Sequence, residues 1–378
     1  MKMIVNQKEL SKALTRLNRI APKKDTMPIL GHVLLNGLVG HKLKAVVTNL
    51  EVFSEILIEA TGAISEPLTV EVLKFKKIVA ALSSNESVSL ERADVKEKDY
   101  RGMEEHKIKL IVSGLDSGTA YTLPAGVAAE FPTIKTVGGE PKEVPTKDLL
   151  AALQATTYAI SNDEYRYNIH TLSFEPDGDE TIIVATDGHR LAAARVPFRT
   201  FDGQVLIPRG MAIELEKMLP LESDDVLVYN DDGHVGFEVG GMMLHAKKLE
   251  AQYPDWRQIV PKNFAGDFTI DSQALCAGVK RITALASGDI IGVTIVATEE
   301  ESCLKARTDG VDATEPINTT IKMPGEFVVQ KPYILDAAKA LGPGLLRMQV
   351  PENNISAAKI SRADEDDGSF AVVMGIRI

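Results

Sequence analysis

Cysteine is nearly missing from this sequence: Cys276 and Cys303 are the two in 378 residues. Both lie among apolar neighbours, with no spacing that suggests a metal or redox pair. That excludes a disulfide framework and indicates a reducing compartment. No apolar run approaches the roughly 18 residues of a membrane-spanning helix. Residues 1–6 lack the cationic start and apolar run of a signal peptide, so a cytoplasmic location is expected. Positive charge is scarce as well, with 42 Lys and Arg against 53 Asp and Glu and a net charge of −11. General basicity therefore supplies no nucleic-acid surface, and any such surface has to be built locally. A Gly-rich phosphate loop, a nucleophile elbow and a HExxH helix are also missing. What is present is a globular composition, 44% apolar and 25% charged, in a chain long enough for two or three domains.

Apolar residues recur at helical spacing in six places. Leu10, Ala13, Leu14 and Leu17 mark the first; Phe75, Val79 and Leu82 the second; Leu149, Leu150, Leu153 and Ile160 the third. Met211, Leu215, Met218 and Leu219 mark the fourth, Leu275, Val279 and Ile282 the fifth, and Ile334, Ala338 and Leu341 the sixth. Thr146 and Ser272 are expected as caps and Pro332 in a first turn. Short β-rich runs separate the helices, among them 32–38, 42–47, 55–59, 108–112 and 181–185. Asp177-Gly178-Asp179 and Asp231-Asp232-Gly233 read as hairpin turns.

One pattern appears three times: an apolar strand ending in Thr followed by Asn or Asp, at Thr48-Asn49, Thr186-Asp187 and Thr308-Asp309. A helix begins at a similar distance before each, near Lys8, Lys147 and Gln273, and after each, near Lys74, Arg209 and Lys331. Phe131-Pro132 and Tyr253-Pro254 echo one another at the ends of two of the units. The spacing implies three repeated α+β domains at 1–135, 143–262 and 264–378, each of ordinary domain size, and too long for solenoid repeats.

Charge is segregated along the chain. The six helical segments are together cationic by nine charges although the whole protein is at −11. Lys8, Lys12, Arg16 and Arg19 follow one another at spacings of 4, 4 and 3, forming one stripe opposite the apolar face of the first helix. Helices that line one common surface would make it attractive to phosphate while the rest of the molecule repels it, which suits backbone contact without base readout.

Thr26-Met27-Pro28-Ile29-Leu30, Thr48-Asn49-Leu50-Glu51, Arg166-Tyr167, the run Ala185-Thr186-Asp187-Gly188-His189-Arg190-Leu191, Tyr253-Pro254-Asp255, Pro261-Lys262-Asn263 and Val372-Val373-Met374, in this order and spacing, resemble the bacterial DNA polymerase III beta subunits, the beta sliding clamps. The resemblance covers essentially the whole chain. It implies the clamp fold: three repeated domains per protomer and two protomers joined head to tail as a homodimer, with helices lining the ring interior and antiparallel sheets outside. Twelve helices at roughly 8–10 Å spacing make a circle about 35 Å across through their axes, wide enough for a duplex. The implied partners are double-stranded DNA without sequence preference, the polymerase alpha subunit, the clamp loader and other proteins carrying a short clamp-binding motif. Lys24, Lys74, Arg166 and Tyr167 join the cationic stripe as expected DNA-facing residues. The resemblance further implies a partner-peptide pocket at Ile169, Thr186, Gly188, His189, Arg190, Leu191, Pro254, Ile259, Val372, Met374 and Arg377, an apolar cup with a few orienting polar groups. Dimer surfaces are expected around Ala284-Leu285 and the strands near Tyr121.

Asp187, His189 and Arg190 also admit a hydrolytic or phosphoryl-transfer reading. No second His or Cys stands at ligand spacing, so no catalysis, metal or cofactor is expected. The chain departs from the family pattern at Gly375, in place of a proline, at Gln258, in place of an Arg, and at Leu73, Asp163 and Asn168. Gly375 and Gln258 leave a divergent clamp paralogue with altered partners as an alternative. Gly375 in particular predicts a looser pocket rim.

Overall fold

The computed structural model describes residues 2–22, 26–98, 103–133, 135–219, 225–286, 291–308, 310–353, 356–364 and 368–377. The helices are α1 (Gln7–Leu17), α2 (Val72–Ala81), α3 (Thr146–Thr156), α4 (Arg209–Met218), α5 (Ser272–Ile282) and α6 (Lys331–Ala340). Each covers the core of a segment the apolar spacing predicts, but Leu82 and Ile160, counted into the second and third, lie past the helix ends in extended backbone. Along the chain the order strand, helix, three strands, strand, helix, three strands occurs three times, the third run carrying one additional strand, Thr319–Met323.

Helix starts follow local chemistry. The Asn6 side chain accepts from the N–H groups of Lys8 and Glu9 at 3.0 and 3.3 Å and so caps α1. Pro332 stands in the first turn of α6, as expected. The other two caps are corrected. Asp271, still extended at φ −70° and ψ 129°, caps α5 by accepting from Ala274 N–H at 2.8 Å. Ser272 is inside the helix, and its hydroxyl donates to Ala338 of α6 at 2.9 Å. Thr146 likewise opens α3 from within, after an extended Pro145.

The chain forms two compact units, residues 1–143 with 217–247, and residues 144–216 with 248–378. The second of the three runs thus contributes to both. In the first unit the eight strands of the first run are consecutive in one sheet. Lys2–Asn6 pairs with both Ser87–Lys98 and Val52–Gly62, tying the ends of that series together. Met242–Lys247 extends it antiparallel to Val52–Gly62, with Phe53 opposite His245. α1 packs on α2, and Leu10, Leu14, Leu17, Phe75 and Val79 are all buried, each burial worth roughly 1.5–3 kcal/mol. The Gln7 amide donates to the Val79 carbonyl at 2.7 Å between the two helices.

In the second unit, nine strands run in the order Val205–Pro208, Thr171–Asp177, Glu180–Thr186, Arg190–Val196, Phe370–Met374, Ala357–Arg362, Leu345–Val350, Gly266–Asp271 and Thr319–Met323. A smaller sheet holds Val311–Pro316, Ser302–Thr308, Gly292–Ala297 and Gly325–Gln330. α6 packs against both α3 and α5. The join that matters for function is antiparallel, with Arg190 opposite Val373 and Leu191 opposite Val372.

The Thr–Asx marker has one physical purpose wherever it is described. Thr48 Oγ1 donates to the Val52 carbonyl and accepts from Leu50 N–H, while Asn49 Oδ1 accepts from the N–H groups of Glu51 and Val52. Thr186 and Asp187 repeat every one of those bonds toward Gly188, His189 and Arg190. Asp309 lies outside the described residues. The third residue of the turn has a positive φ in all three copies: 75° at Leu50, 89° at Gly188 and 79° at Gly310. Leu50→Gly should therefore leave stability within about 0.5 kcal/mol, because relief of left-handed strain offsets glycine's entropy. Gly188→Ala should cost about 1 kcal/mol or more, since it adds that strain. Urea unfolding of the two variants checks the contrast.

His245 is 2% exposed and its Nδ1 has no hydrogen-bond partner. Burial lowers its pKa, only partly opposed by Glu55. The unfolded state therefore binds the proton more readily, and stability falls as pH drops below the ordinary histidine value of about 6.5. Urea midpoints measured from pH 7.5 to 5.5 should fall less steeply in His245→Phe than in the parent protein.

Candidate functional site

Several of the residues expected to form a pocket meet at the strand end 186–191. Ile169, Leu191 and Val372 are buried in one apolar cluster with Tyr253 and Trp256, and Thr186, closing the turn, is buried beside them. Gly188, His189, Ile259, Met374 and Arg377 are exposed, and Arg190 and Pro254 are half-buried. The structure thus divides the expected set into buried and exposed members. Glu175 borders the cluster and accepts from Trp256 Nε1 at 3.1 Å and from Arg257 at 2.8 Å.

Arg190 is the most constrained group in the site. Its Nε donates to Asp187 at 3.0 Å and its Nη1 to Asp336 of α6 at 2.7 Å. Its guanidinium carbon lies 5.2 Å from the Tyr158 ring centre and 5.0 Å from that of Tyr333. Burial opposes the charge, but the bonds to Asp336 and Asp187 outweigh it and raise the Arg190 pKa. Burial also raises the pKa values of Tyr158 and Tyr333. His189 stacks on Tyr333 with centroids 6.4 Å apart and planes 16° apart. Its carbonyl accepts from Met374 N–H at 3.0 Å, linking the turn to the last strand. The Asp187 carboxylate is held by two backbone N–H groups and by Arg190, an arrangement that builds a turn rather than a proton-transfer pair with His189. Tyr158, Tyr333 and Asp336 were missed in the sequence. Tyr333 and Asp336 stand more than 140 positions from Arg190, and no local pattern connects them.

Gly375, where a looser rim is expected, uses the backbone donor that it adds. Gly375 N–H donates to Ser356 at 3.1 Å and Ile376 N–H to Val328 at 2.9 Å, so the donor a proline would lack helps to pin the tail. Gln258 donates to Asp255 at 2.7 Å. The first unit presents the same frame with different side chains: Phe53 stands opposite His245, rings 5.7 Å apart, where the second unit has Leu191 opposite Val372. Bulk occupies there the position that belongs to the apolar cluster here.

The cationic stripe is corrected. Lys8, Lys12 and Arg19 are exposed on or just beyond α1, but Arg16 is 8% exposed and donates to the Gly240 carbonyl at 3.3 Å. Burial, then Arg19, lowers its pKa. It turns inward because a backbone carbonyl of the neighbouring hairpin satisfies it. Lys74 is exposed and paired with Glu71 at 2.5 Å. Lys24 lies outside the described residues. Arg166 and Tyr167 are on an exposed loop. Arg166 donates to the Asp187 carbonyl at 2.9 Å, tying that loop to the pocket turn. Asp163 organises the loop by accepting from Tyr165 N–H at 3.0 Å and leaves Tyr165 almost wholly exposed, an aromatic the sequence did not single out.

Residues 1–134 match the family model of the DNA polymerase III beta subunit N-terminal domain, and 143–255 match that of its central domain. The chain is 26% identical over 388 residues to the beta sliding clamp of Escherichia coli, with both chains fully covered. It is 27% identical over 371 residues to that of Synechococcus elongatus, covering 93% of each. Among solved structures, the Caulobacter crescentus beta sliding clamp superposes with a TM-score of 0.87 at 23% identity, covering 100% of this chain and 99% of that one. The Pseudomonas aeruginosa DNA polymerase III subunit beta gives 0.86 at 24%, with both chains covered in full. These two show the likeness of fold.

Exposed and buried cations predict different phenotypes. Lys8→Ala, Lys12→Ala and Arg19→Ala should each leave the urea midpoint nearly unchanged while weakening duplex DNA binding. Each should also lower the salt slope of binding by about one, because one phosphate fewer is neutralised. Arg16→Ala should instead destabilise the fold by roughly 1–3 kcal/mol, with little change in the salt slope.

Proposed function

The chain belongs to the DNA polymerase III beta subunit family, and on that footing we propose how its two candidate surfaces divide the task of a sliding clamp. Its function is that of a DNA sliding clamp, an accessory factor for processive replication. Among the described residues no helix is long and apolar enough to cross a membrane, and we place its action on DNA in the cytoplasm. Three clamp domains, 1–135, 143–262 and 264–378, make up each protomer, and two protomers close head to tail into a ring. The threefold recurrence of the element order supports this division. Topology then supplies the hold on DNA, and exposed helix cations need only weak, salt-screened phosphate contacts, which leave the ring free to slide. No step of this function calls for catalysis, a metal or a cofactor.

The apolar cluster of Ile169, Leu191 and Val372, beside the turn that carries His189 and Arg190 and the strand end at Met374, is the observation that supports the partner side of this reading, with Arg377 proposed at its rim. It suits a short linear peptide with Leu and Phe anchors, offered by the polymerase alpha subunit, the clamp loader or another clamp-binding protein. A hydrolytic role is less well supported, because Asp187 is already bound into its turn.

Two measurements test the two surfaces. The loaded protein should stay on nicked circular duplex and leave after linearisation; equal loss from both forms would contradict topological tethering. Trp256 is the sole tryptophan and belongs to the same apolar cluster. A Leu- and Phe-bearing peptide should therefore shift its emission saturably, and less so in His189→Ala. An emission that ignores the peptide at high micromolar concentration would remove the pocket from this strand end.

A further inference from the structure

Arg190 stands at the pocket rim as a guanidinium whose charge is already matched within the fold. One oxygen of Asp187 serves the N–H groups of His189 and Arg190, which leaves the other for Arg190 Nε at 3.0 Å. The second carboxylate comes from Asp336, on a helix of the following run, at 2.7 Å from Nη1. Tyr158 and Tyr333 lie within about 5 Å of the same group. A half-buried cation is stable there only because two anions and two aromatic faces surround it. The same side chains set the rim: Tyr333 also carries His189, whose carbonyl anchors Met374.

Resting on the pocket reading above, we propose that Asp336 is a positioning residue that neutralises and aims Arg190. The strand end thereby receives an apolar peptide side chain and does not act as a cation that selects an acidic one. The chemistry is a matter of which negative group the guanidinium faces. With Asp336 in place, a carboxylate on the peptide would be a third anion around one cation, and would meet repulsion as well as desolvation. With Asp336 made neutral, Arg190 keeps only one oxygen of Asp187, and a peptide carboxylate becomes the missing partner. Asp336 also lines a helix-side cavity of about 680 Å³ with Tyr158, Arg209 and Lys339. Those two cations face the same space, so they belong to the electrostatic surroundings of Asp336 and stay unaltered in the test.

The experiment compares two fluorescein-labelled peptides, one with a Leu–Phe pair and one with that Leu replaced by Asp, on the full-length protein by fluorescence anisotropy. The parent protein should prefer the apolar peptide. D336N should lower the ratio of apolar to acidic affinity by about tenfold, equivalent to about 1.4 kcal/mol, and D336E should restore it to within about threefold. A loss of packing alone would weaken both peptides together and leave the ratio unchanged. That result in a D336N protein with a parental urea midpoint overturns the proposal while the pocket stands. If D336N does not fold, D336S carries the same comparison. A parent protein that binds neither peptide overturns the pocket reading, and this inference with it.

Discussion

A β-strand that ends in a tight turn leaves backbone donors pointing into that turn, and here a threonine hydroxyl and an Asx side-chain oxygen take them up. Thr186 bonds to Arg190 and Gly188, and Asp187 to His189 and Arg190. That closed set of bonds fixes the direction in which Gly188, His189 and Arg190 leave the sheet. Leu191, next along in the strand that starts at Arg190, then pairs with Val372, so the buried apolar cluster inherits its register from the turn. The identical bonds at Thr48 and Asn49 show that the turn is a device of the fold. What differs is what surrounds it: Leu191 and Val372 belong to an apolar cluster, whereas Phe53 and His245 place two rings at the equivalent pair.

Charge follows the same logic of satisfaction before display. Arg190 looks in the sequence like a group offered to a ligand, yet two carboxylates hold it. Arg16 looks like one of four cations on a stripe, yet it reaches a carbonyl of Gly240. In both cases a partly buried guanidinium, which cannot shed its proton, needs partners from the fold. The cations that remain exposed on α1 are Lys8 and Lys12, with Arg19 just past its end. On the proposed reading, a weak and screened surface of this kind suits a protein held by ring topology, since tight phosphate contacts would oppose sliding.

The division of the chain shows how far repetition extends. Each run has the same order of helices and strands, but the second run is shared between two compact units. Strand Met242–Lys247 continues a sheet begun by the first run, and Phe370–Met374 continues one begun by the second. Antiparallel edges that would otherwise expose unpaired N–H and C=O groups are covered in this way by strands from the following run.

The sequence by itself determined the six helices, the Thr–Asx strand ends, the threefold order and the family. Apolar spacing, Asx side chains and proline act over three or four residues, within reach of a linear reading. Most of the pocket's floor and rim came from family resemblance at matching positions. Only the tertiary structure decided that Arg16 is buried, that Gly375 ties the tail down, and that Asp336, Tyr158 and Tyr333 enclose Arg190. Those outcomes depend on groups brought together from strands and helices far apart in the chain, where burial decides which partner a charge or a donor must find. The marker at 186–191 was legible as a strand end; that Thr186 and Asp187 close a turn there was decided by bonds only the tertiary structure shows.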